Sequence, residues 1–330
     1  MSRTLIVRLP NWLGDTVMAV PLLRALRRGR PEDRLALVGP WAELLAGQAL
    51  ADLLVTYPRR WRARLAAARA LRGLQAEVAL LLPNSLEAAL AACAWGARRR
   101  IGFATDGRAW LLTDALPLPA PRRHQVDEYL LLLGPLGLDA AEREPRLAPP
   151  APDTPARAEA RALLAPARAE GRAVVGVHLA AEWGPAKLWP VERVAEFCRA
   201  AAAHGLTAVL LGPGEAAARA AAVTAGAAAL SLVGRDSPRL LPALLAELDA
   251  LVAGDTGVAH LAAALGTPVV ALFGPTDPAL TAPRGPARVV QHAVPCAPCF
   301  YRACPIDHPC LRGVDAARVA HALATLGVGR

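Results

Sequence analysis

A short turn in the second half of the chain carries residue types that bind an anion. The segment GDTGVAHLAAALG places Asp255, Thr256 and Gly257 between an apolar strand and the helix that follows. The N–H groups in the first turn of such a helix attract phosphate or carboxylate groups. His260 lies one turn into the same helix, where it either has a structural role or contacts the ligand. The turn therefore predicts a binding site for an anionic ligand.

A single lysine is the second candidate. Lys187, in the segment GPAKLWP, is the only lysine of the chain, although lysine and arginine together number 37. An ammonium is a compact point charge, whereas a guanidinium is planar and donates from a fixed fork. Either Lys187 is retained by chance in an arginine-rich chain, or its site needs an ammonium. The composition alone leaves both interpretations open.

A carboxylate near the N-terminus could serve as a base. In the segment NWLGDTV a strand stops, Gly14 permits a tight turn and Asp15 precedes a helix. Aspartate is common as a helix N-cap, because its side-chain oxygen accepts from first-turn N–H groups. The same carboxylate could take a proton from a substrate hydroxyl. The sequence predicts one of these two roles for Asp15.

Four cysteines cluster near the C-terminus. Cys296, Cys299, Cys304 and Cys310 have the spacing C-x2-C-x4-C-x5-C, with His308 inside the segment. In a cytosolic chain this spacing is typical of a zinc or iron–sulfur site rather than of disulfides. The alternative is a set of reduced thiols without a metal. We therefore expect either a structural metal site or free cysteines here.

The elements that must position these residues alternate between apolar strands and amphipathic helices. Strands are predicted on both sides of a Pro-rich stretch at 144–156: TLIVRLP, RLALVG, DLLVTY, EVALLLP and RRIGFA before it, and AVVGVHLA, TAVLLG, ALSLVG, ALVAGD and PVVALFG after it. The alternation is typical of βαβ units with parallel sheets, which bind ligands at the carboxyl ends of their strands. We predict two domains, 1–150 and 151–330, the second including a Cys-rich segment at 296–310.

The composition predicts a soluble α/β protein with anionic partners. At 330 residues, 54% of them hydrophobic, the chain can form two cores. No apolar run is long enough to predict a transmembrane helix, and the start does not resemble a signal peptide, which indicates a cytosolic protein. The net charge of +9 favours a nucleotide, a nucleic acid or a lipid surface. Nucleic acid is the weakest of these, because the arginines are scattered without a reader motif.

Two common nucleotide-binding motifs are absent from the sequence. No G-x-G-x-x-G follows a strand, and the segment GPGE at 212–215 is too weak a match. There is no Walker lysine motif either. The usual dinucleotide and P-loop explanations for the anion site are therefore excluded.

Five segments jointly resemble one enzyme family. PNWLGDTVMAVPLLRAL, LLPNSLEAAL, RRIGFATDGRAWLL, GPAKLWP and GDTGVAHLAAALGTPVVALFGPTDP are similar to the ADP-heptose–lipopolysaccharide heptosyltransferases, glycosyltransferase family 9. PNSLEAAL and GPAKLWP favour the type II members, which add the second inner-core heptose, over type I. The resemblance implies a GT-B architecture, with two Rossmann-like domains facing a central cleft. The acceptor would bind to the N-terminal domain and the ADP-sugar to the C-terminal one.

The resemblance also implies the chemistry. The family inverts the configuration at the anomeric carbon and uses no catalytic metal or other cofactor. Asp15 matches its catalytic base, and Lys187 matches its phosphate-contacting lysine. A point charge suits a diphosphate oxygen whose charge develops in no fixed plane.

The donor-binding residues follow from the same resemblance. Asp255 would accept from the heptose hydroxyls, and the Thr256 and Gly257 amides would hold phosphate. His260 belongs to the same turn. Glu215, after LLGPG, would accept from the ribose hydroxyls.

The implied partners are ADP-heptose as donor and the heptosyl-Kdo2-lipid A inner core of lipopolysaccharide as acceptor. The acceptor is a phosphorylated glycolipid, so a basic N-terminal domain would favour peripheral docking on the anionic inner face of the cytoplasmic membrane. Trp12 and Trp110 are candidate contacts to sugar or lipid, with core positions as the alternative.

Two other functions remain open. A family 9 transferase of other specificity, such as heptosyltransferase I or III or one acting on another glycan, would share these motifs. A non-catalytic nucleotide-sugar-binding protein would share the fold, but a protein that only binds does not need both Asp15 and Lys187.

Overall fold

The computed structural model describes residues 3–58, 60–169 and 171–329, and the chain divides into two compact units. The N-terminal unit is Met1–Pro145 and the C-terminal unit is Arg146–Arg330. The two domains predicted from the sequence, 1–150 and 151–330, divide the chain near the same point.

The N-terminal unit is built on a six-stranded parallel sheet of order β3-β2-β1-β4-β5-β6. Its strands are β1 (Thr4–Arg8), β2 (Arg34–Gly39), β3 (Leu53–Thr56), β4 (Val78–Leu81), β5 (Arg99–Phe103) and β6 (Asp114–Leu116). The central strands β1 and β4 are apolar along most of their length because helices cover both faces of such a sheet. All five strands predicted in this half are confirmed. The three-residue β6 was not predicted, since DAL is too short to show a strand pattern.

The described residues of this unit form five α-helices. They are α1 (Leu13–Met18), α2 (Val20–Gly29), α3 (Trp61–Arg72), α4 (Leu86–Ala94) and α5 (Gln125–Leu131). The sequence predicts one helix over 16–28, whereas the structure has two that meet at Ala19. Pro21 lies in the first turn of α2, where its missing N–H is tolerated. The first helix also begins earlier than predicted, at Leu13, so Asp15 lies inside α1 instead of preceding the helix.

The C-terminal unit repeats the design with the order β12-β11-β10-β7-β8-β9. Its strands are β7 (Ala173–His178), β8 (Leu206–Leu211), β9 (Leu230–Ser231), β10 (Ala250–Gly254), β11 (Val269–Phe273) and β12 (Ala287–Gln291). The five predicted strands are again confirmed. The edge strand β12 was not predicted, because most of its residues are exposed and its sequence, ARVVQ, lacks a continuous apolar run.

Eight α-helices accompany this second sheet in the part of the chain that the structure describes. They are α6 (Pro155–Arg168), α7 (Val191–Ala201), α8 (Ala217–Thr224), α9 (Leu241–Glu247), α10 (Gly257–Ala264), α11 (Pro278–Thr281), α12 (Pro309–Arg312) and α13 (Ala316–Thr325). The Pro-rich stretch at 144–156 runs into α6, since Pro155 is the first residue of that helix. Leu147, inside the stretch, donates its N–H to the Ala264 carbonyl at 2.8 Å. The stretch is therefore attached to the C-terminal unit.

Both units have the parallel sheet and connecting helices of an α/β protein, which confirms the predicted fold class. Across the described residues, no helix combines the length and apolar character that a membrane crossing requires.

Candidate active site

The turn after β10 has the geometry of an anion site. Asp255 is buried, and Thr256 is the extended residue that precedes the first turn of α10. The buried Thr256 hydroxyl has no hydrogen-bond partner within the described structure. The N–H groups that begin an α-helix have no partner inside the helix. This turn therefore offers a hydroxyl, backbone donors and a positive helix end to an anionic group.

The single lysine is paired with the aspartate of this turn. Lys187 Nζ lies 2.5 Å from Asp255 Oδ2, and the Thr276 hydroxyl donates to the same oxygen at 2.8 Å. Only 12% of the Lys187 side chain and 7% of the Asp255 side chain are exposed. A charged pair this buried is held in place by its hydrogen bonds, so the ammonium is fixed beside the N-terminus of α10. No sequence motif pointed to Thr276.

Close backbone packing sets the position of the lysine. Lys187 ends a short 3-10 helix, Pro185–Lys187, which we call the lysine turn. A Cβ placed on Gly254, the last residue of β10, would collide with the carbonyl oxygen of Lys187. Glycine is therefore required at position 254 for the lysine turn to lie against the end of the strand.

The Cys-rich segment supports this arrangement from one side. The Arg302 carbonyl accepts from Ala186 N at 3.0 Å, and the Arg302 guanidinium lies 4.7 Å from the centre of the Trp183 ring. Phe300 N donates to the Pro275 carbonyl at 2.7 Å, next to Thr276. The segment thus contacts the two loops that supply hydrogen-bond donors to Asp255.

The four cysteines are not grouped as metal ligands in the described part of the chain. All are free thiols, with Cys296 exposed, Cys299 and Cys304 partly buried, and Cys310 buried. In the described part of the chain, no three or more His, Cys, Asp or Glu side chains are grouped to bind a metal ion. Burial raises the pKa of the Cys310 thiol, which packs against the backbone of Gly274. The described geometry gives no support to the predicted zinc or iron–sulfur site.

The other predicted donor-site residues lie on the same unit. His260 is buried within α10. Glu215 is exposed in the 3-10 turn Gly214–Ala216, which follows β8 at the carboxyl edge of the sheet. Burial raises the pKa of the Asp236 carboxyl, and the negative charge of Glu215 raises it further. Glu215 is therefore on the same edge as Asp255, two strands away in the sheet order.

A further histidine, which was not predicted as a site residue, ends the strand next to β10. His178 is the last residue of β7, which lies between β10 and β8. Burial lowers the pKa of His178 to about 4, and its Nδ1 has no hydrogen-bond partner within the described residues. The ring is therefore neutral at pH 7. The only available signal in the sequence was a polar residue at the end of an apolar strand.

Asp15 lies in the N-terminal unit, inside the first turn of α1. The N-cap of this helix is Trp12, which makes no side-chain capping bond. The alternative interpretation of Asp15 as an N-cap is therefore wrong. Asp15 is partly buried. The pKa of the Tyr129 phenol is raised first by the burial of the phenol and then by the negative charge of Asp15.

A buried arginine anchors the loop before Asp15. Arg8, the last residue of β1, donates from Nη2 to Asn11 Oδ1 at 2.7 Å and from Nη1 to the Leu9 carbonyl. Its guanidinium stacks 4.6 Å from the centre of the Tyr57 ring, and burial lowers the pKa of Arg8. No sequence motif pointed to Arg8. A charged residue at the end of an apolar strand was the feature that could have suggested a buried, functional position.

Comparison with known proteins identifies one family. Residues 64–309 match the profile of Glycosyltransferase family 9 (heptosyltransferase). Lipooligosaccharide heptosyltransferase 2 of Haemophilus ducreyi is 29% identical over 85% of this chain and 86% of its own length. Lipopolysaccharide heptosyltransferase 1 of Pseudomonas aeruginosa is 41% identical, but over only 26% of this chain and 24% of its own length.

A solved structure shows the same fold over nearly the whole chain. The ADP-heptose lipopolysaccharide heptosyltransferase II of Escherichia coli superposes with a TM-score of 0.80 at 25% sequence identity. The superposition covers 99% of this chain and 98% of the other. The predicted GT-B fold class is thereby confirmed.

Proposed function

Because this chain belongs to glycosyltransferase family 9, we propose that it is an inverting, metal-independent heptosyltransferase of type II. Its donor is ADP-L-glycero-D-manno-heptose, and its acceptor is the inner-core heptose of lipopolysaccharide. Similarity to a type 2 enzyme over most of the chain supports this choice. The observation that carries the proposal is the buried Lys187–Asp255 pair at the N-terminus of α10.

The C-terminal unit binds the donor. The diphosphate is held by the Thr256 and Gly257 amides and by Lys187, which is already oriented by Asp255. As the bond between the anomeric carbon and the diphosphate breaks, negative charge accumulates on the leaving oxygen. The lysine ammonium and the positive end of α10 stabilise that charge without having to reorganise.

Asp255 has a second role in this scheme. One of its oxygens accepts from both Lys187 and Thr276. A carboxylate has two oxygens that each accept more than one hydrogen bond, so the other remains for heptose hydroxyls. His260 and Glu215 complete the donor site, with Glu215 accepting from the ribose hydroxyls.

The N-terminal unit supplies the base. Asp15 takes the proton from the acceptor hydroxyl while that oxygen attacks the anomeric carbon from the side opposite the diphosphate. A single displacement of this kind inverts the configuration. Asp15 is partly buried in the first turn of α1, just beyond the carboxyl end of β1.

The proposed acceptor places the enzyme in the cytoplasm, peripheral to the inner face of the cytoplasmic membrane. The net charge of +9 favours contact with the anionic lipids of that surface.

The alternative is a family 9 transferase of other specificity. The local similarity to a heptosyltransferase 1 favours type I as the first competitor. A non-catalytic sugar-nucleotide-binding protein would need the Lys187–Asp255 pair but not the base.

Mass spectrometry of the reaction products tests the proposal. The purified chain is incubated with ADP-heptose and either Kdo2-lipid A or heptosyl-Kdo2-lipid A, with and without EDTA. We expect addition of one heptose to the heptosylated acceptor only, and equal rates with EDTA. Addition to Kdo2-lipid A would assign type I, and no product with either acceptor would support another glycan or a binding protein. Loss of activity in EDTA would contradict metal independence.

A further inference from the structure

Helix α4 exposes an apolar stripe on the surface of the N-terminal unit. Leu86 and Leu90, one turn apart, are 37% and 48% exposed. The buried face of the helix consists of small residues: Ala88, Ala89 and Ala92. A surface helix normally directs polar residues to solvent, whereas α4 is apolar on both sides. An exposed apolar stripe of this kind marks a site of interaction.

A tryptophan extends the stripe. Trp110 is 75% exposed, the highest value among the exposed large hydrophobic residues that the structure describes. It lies in the 3-10 turn Ala109–Leu111, which packs against α4. The Cys93 thiol of α4 contacts the Leu111 carbonyl of this turn at 3.9 Å. We call Leu86, Leu90 and Trp110 the apolar face.

Arginines surround the apolar face. Arg64 Nη1 lies 3.1 Å from Glu87 Oε1 at the start of α4. The Arg72 side chain lies beside Gly96, just beyond the end of α4. Arg100 Nε donates to the Leu111 carbonyl at 2.6 Å, next to Trp110. These contacts place a cation at each end of the helix and one beside the tryptophan turn.

The neighbouring helix adds further positive charge. Helix α3 packs against α4 and exposes Arg62, Leu65, Arg69 and Arg72. Their spacing of three and four residues puts them on one face of α3. Carboxylates near the apolar face include those of Glu87 and Asp106, the latter accepting from Leu86 N at 2.9 Å. The surroundings of the apolar face are therefore predominantly cationic.

We propose that the apolar face and its arginines form a docking surface for an anionic lipid bilayer. Exposed leucine and tryptophan beside arginine are typical of segments that lie in the membrane interface. The cationic rim complements anionic headgroups, and it would repel the same rim on a second copy of this chain.

The position of this surface suits a lipid-linked acceptor, a point that rests on the proposed function. Helix α4 follows the carboxyl end of β4, and β4 pairs with β1. Asp15 follows the carboxyl end of β1. Docking through α4 would therefore bring the headgroup region of the bilayer near the edge that carries the base.

Vesicle flotation of the full chain tests the docking surface. We expect binding to vesicles of phosphatidylethanolamine and phosphatidylglycerol, and little binding to phosphatidylcholine alone. Leu90→Ser and Trp110→Ala should each weaken partitioning roughly tenfold, since each removes a large apolar side chain from the interface. Val289→Ser, an exposed apolar residue of the C-terminal unit, is the matched control and should bind as the original chain does.

Separate variants test how much the exposed arginines contribute to vesicle binding. Arg69→Gln and Arg72→Gln should each lower partitioning roughly fivefold, and high salt should have a similar effect. Arg235→Gln and Arg239→Gln, exposed arginines of the C-terminal unit, should leave partitioning unchanged. Equal binding to phosphatidylcholine vesicles, or unaltered binding of the Leu90 and Trp110 variants, would overturn the proposal. A dimer in light scattering that Trp110→Ala dissociates would assign the face to a second copy and also overturn it.

Activity separates this proposal from the proposed function. The Leu90 variant should transfer heptose at the original rate to a deacylated, water-soluble acceptor, and more slowly to an acceptor embedded in vesicles. Equal rates on the embedded acceptor would contradict the docking surface. If no variant and not even the original chain transfers heptose, while flotation still depends on Trp110, the docking surface holds and the proposed function fails.

Discussion

The turns after β1 and β10 each follow a central strand of their sheet but are stabilised differently. After β10, Asp255 is buried and bonded to Lys187 and Thr276, and an eight-residue helix follows. After β1, Trp12 is 44% exposed, the helix has six residues, and Asp15 is partly buried. Buried hydrogen bonds to Asp255 hold the turn after β10, whereas the turn after β1 is held by Arg8, which donates to the Asn11 side chain and to the Leu9 carbonyl.

The difference suits the two steps of the proposed reaction, stabilisation of the leaving group and removal of a proton from the acceptor. A site that stabilises charge on a leaving group gains most from donors that are already in place. A base must reach a hydroxyl of a large incoming acceptor, so its surroundings are more open. We infer that changes in the C-terminal turn impair both donor binding and the chemical step, while changes at Asp15 impair the chemical step alone.

The largest expected effect is that of Asp15→Asn. We expect transfer to fall about 10²- to 10⁴-fold because the general base is lost, with ADP affinity unchanged. Steady-state kinetics and calorimetric ADP titration measure the two quantities. Asp315→Asn is the control, since Asp315 caps α13 by accepting from Arg318 N and asparagine caps equally well. Near-normal turnover of Asp15→Asn would show that Asp15 is not the base.

The substitution Lys187→Arg has the second largest expected effect on turnover. Lys187 Nζ lies between Asp255 Oδ2, at 2.5 Å, and the centre of the Trp183 ring, at 5.3 Å, and a longer planar guanidinium would have to place its donors elsewhere. We expect a loss of about 100- to 1000-fold in turnover, the usual result of removing one preorganised contact.

Two further variants sharpen the lysine result. Lys187→Ala should lose more than Lys187→Arg, because it leaves the buried Asp255 without its cation. The exposed swap Arg239→Lys should change nothing. If Lys187→Arg retains its turnover, the only lysine of the chain has no special role.

Gly254→Ala tests how tightly the C-terminal turn is packed. The added Cβ would meet the Lys187 carbonyl oxygen, so the lysine turn must shift. We expect the free energy of unfolding to fall by about 1–3 kcal/mol, as for other overpacked sites, together with weaker ADP binding. Gly134→Ala is the stability control, since no atom lies within 4 Å of a Cβ at that position. Equal urea midpoints for the two variants would contradict the close packing.

The smallest effect concerns His178. Its pKa is about 4 in the folded chain against an ordinary 6.5, so the unfolded chain takes up the proton first as the pH falls. Its contribution to stability is therefore complete above pH 6.5 and is lost towards pH 4, at about 1.4 kcal/mol per pH unit. Urea unfolding from pH 7 to pH 5 should show a shallower dependence for His178→Gln than for the exposed control His321→Gln. Identical slopes would mean that His178 is not desolvated.

Much of the fold follows from local sequence. Apolar runs bounded by glycine or proline identify ten of the strands, since a parallel strand covered on both faces needs continuous apolar residues. The short β6 and the exposed β12 lack that pattern, because neither is buried along its length.

The Cys-rich segment shows where a motif misleads. The spacing of its four cysteines indicates a metal site, yet in the structure the Cys310 thiol packs against Gly274 and the thiols remain free. Spacing along a chain limits which residues can meet, but the path of the backbone decides whether they do.

The sequence by itself determined the α/β class, the strand–helix turns that carry Asp15 and Asp255, and the family resemblance. Only the tertiary structure decided that Lys187 pairs with Asp255, 68 residues away, that Thr276 shares the same oxygen, and that the apolar face of α4 remains exposed. The physical reason is that periodicity and turn chemistry act between neighbours in the chain. Contacts between distant residues depend on the order of the strands and on which helix faces they cover.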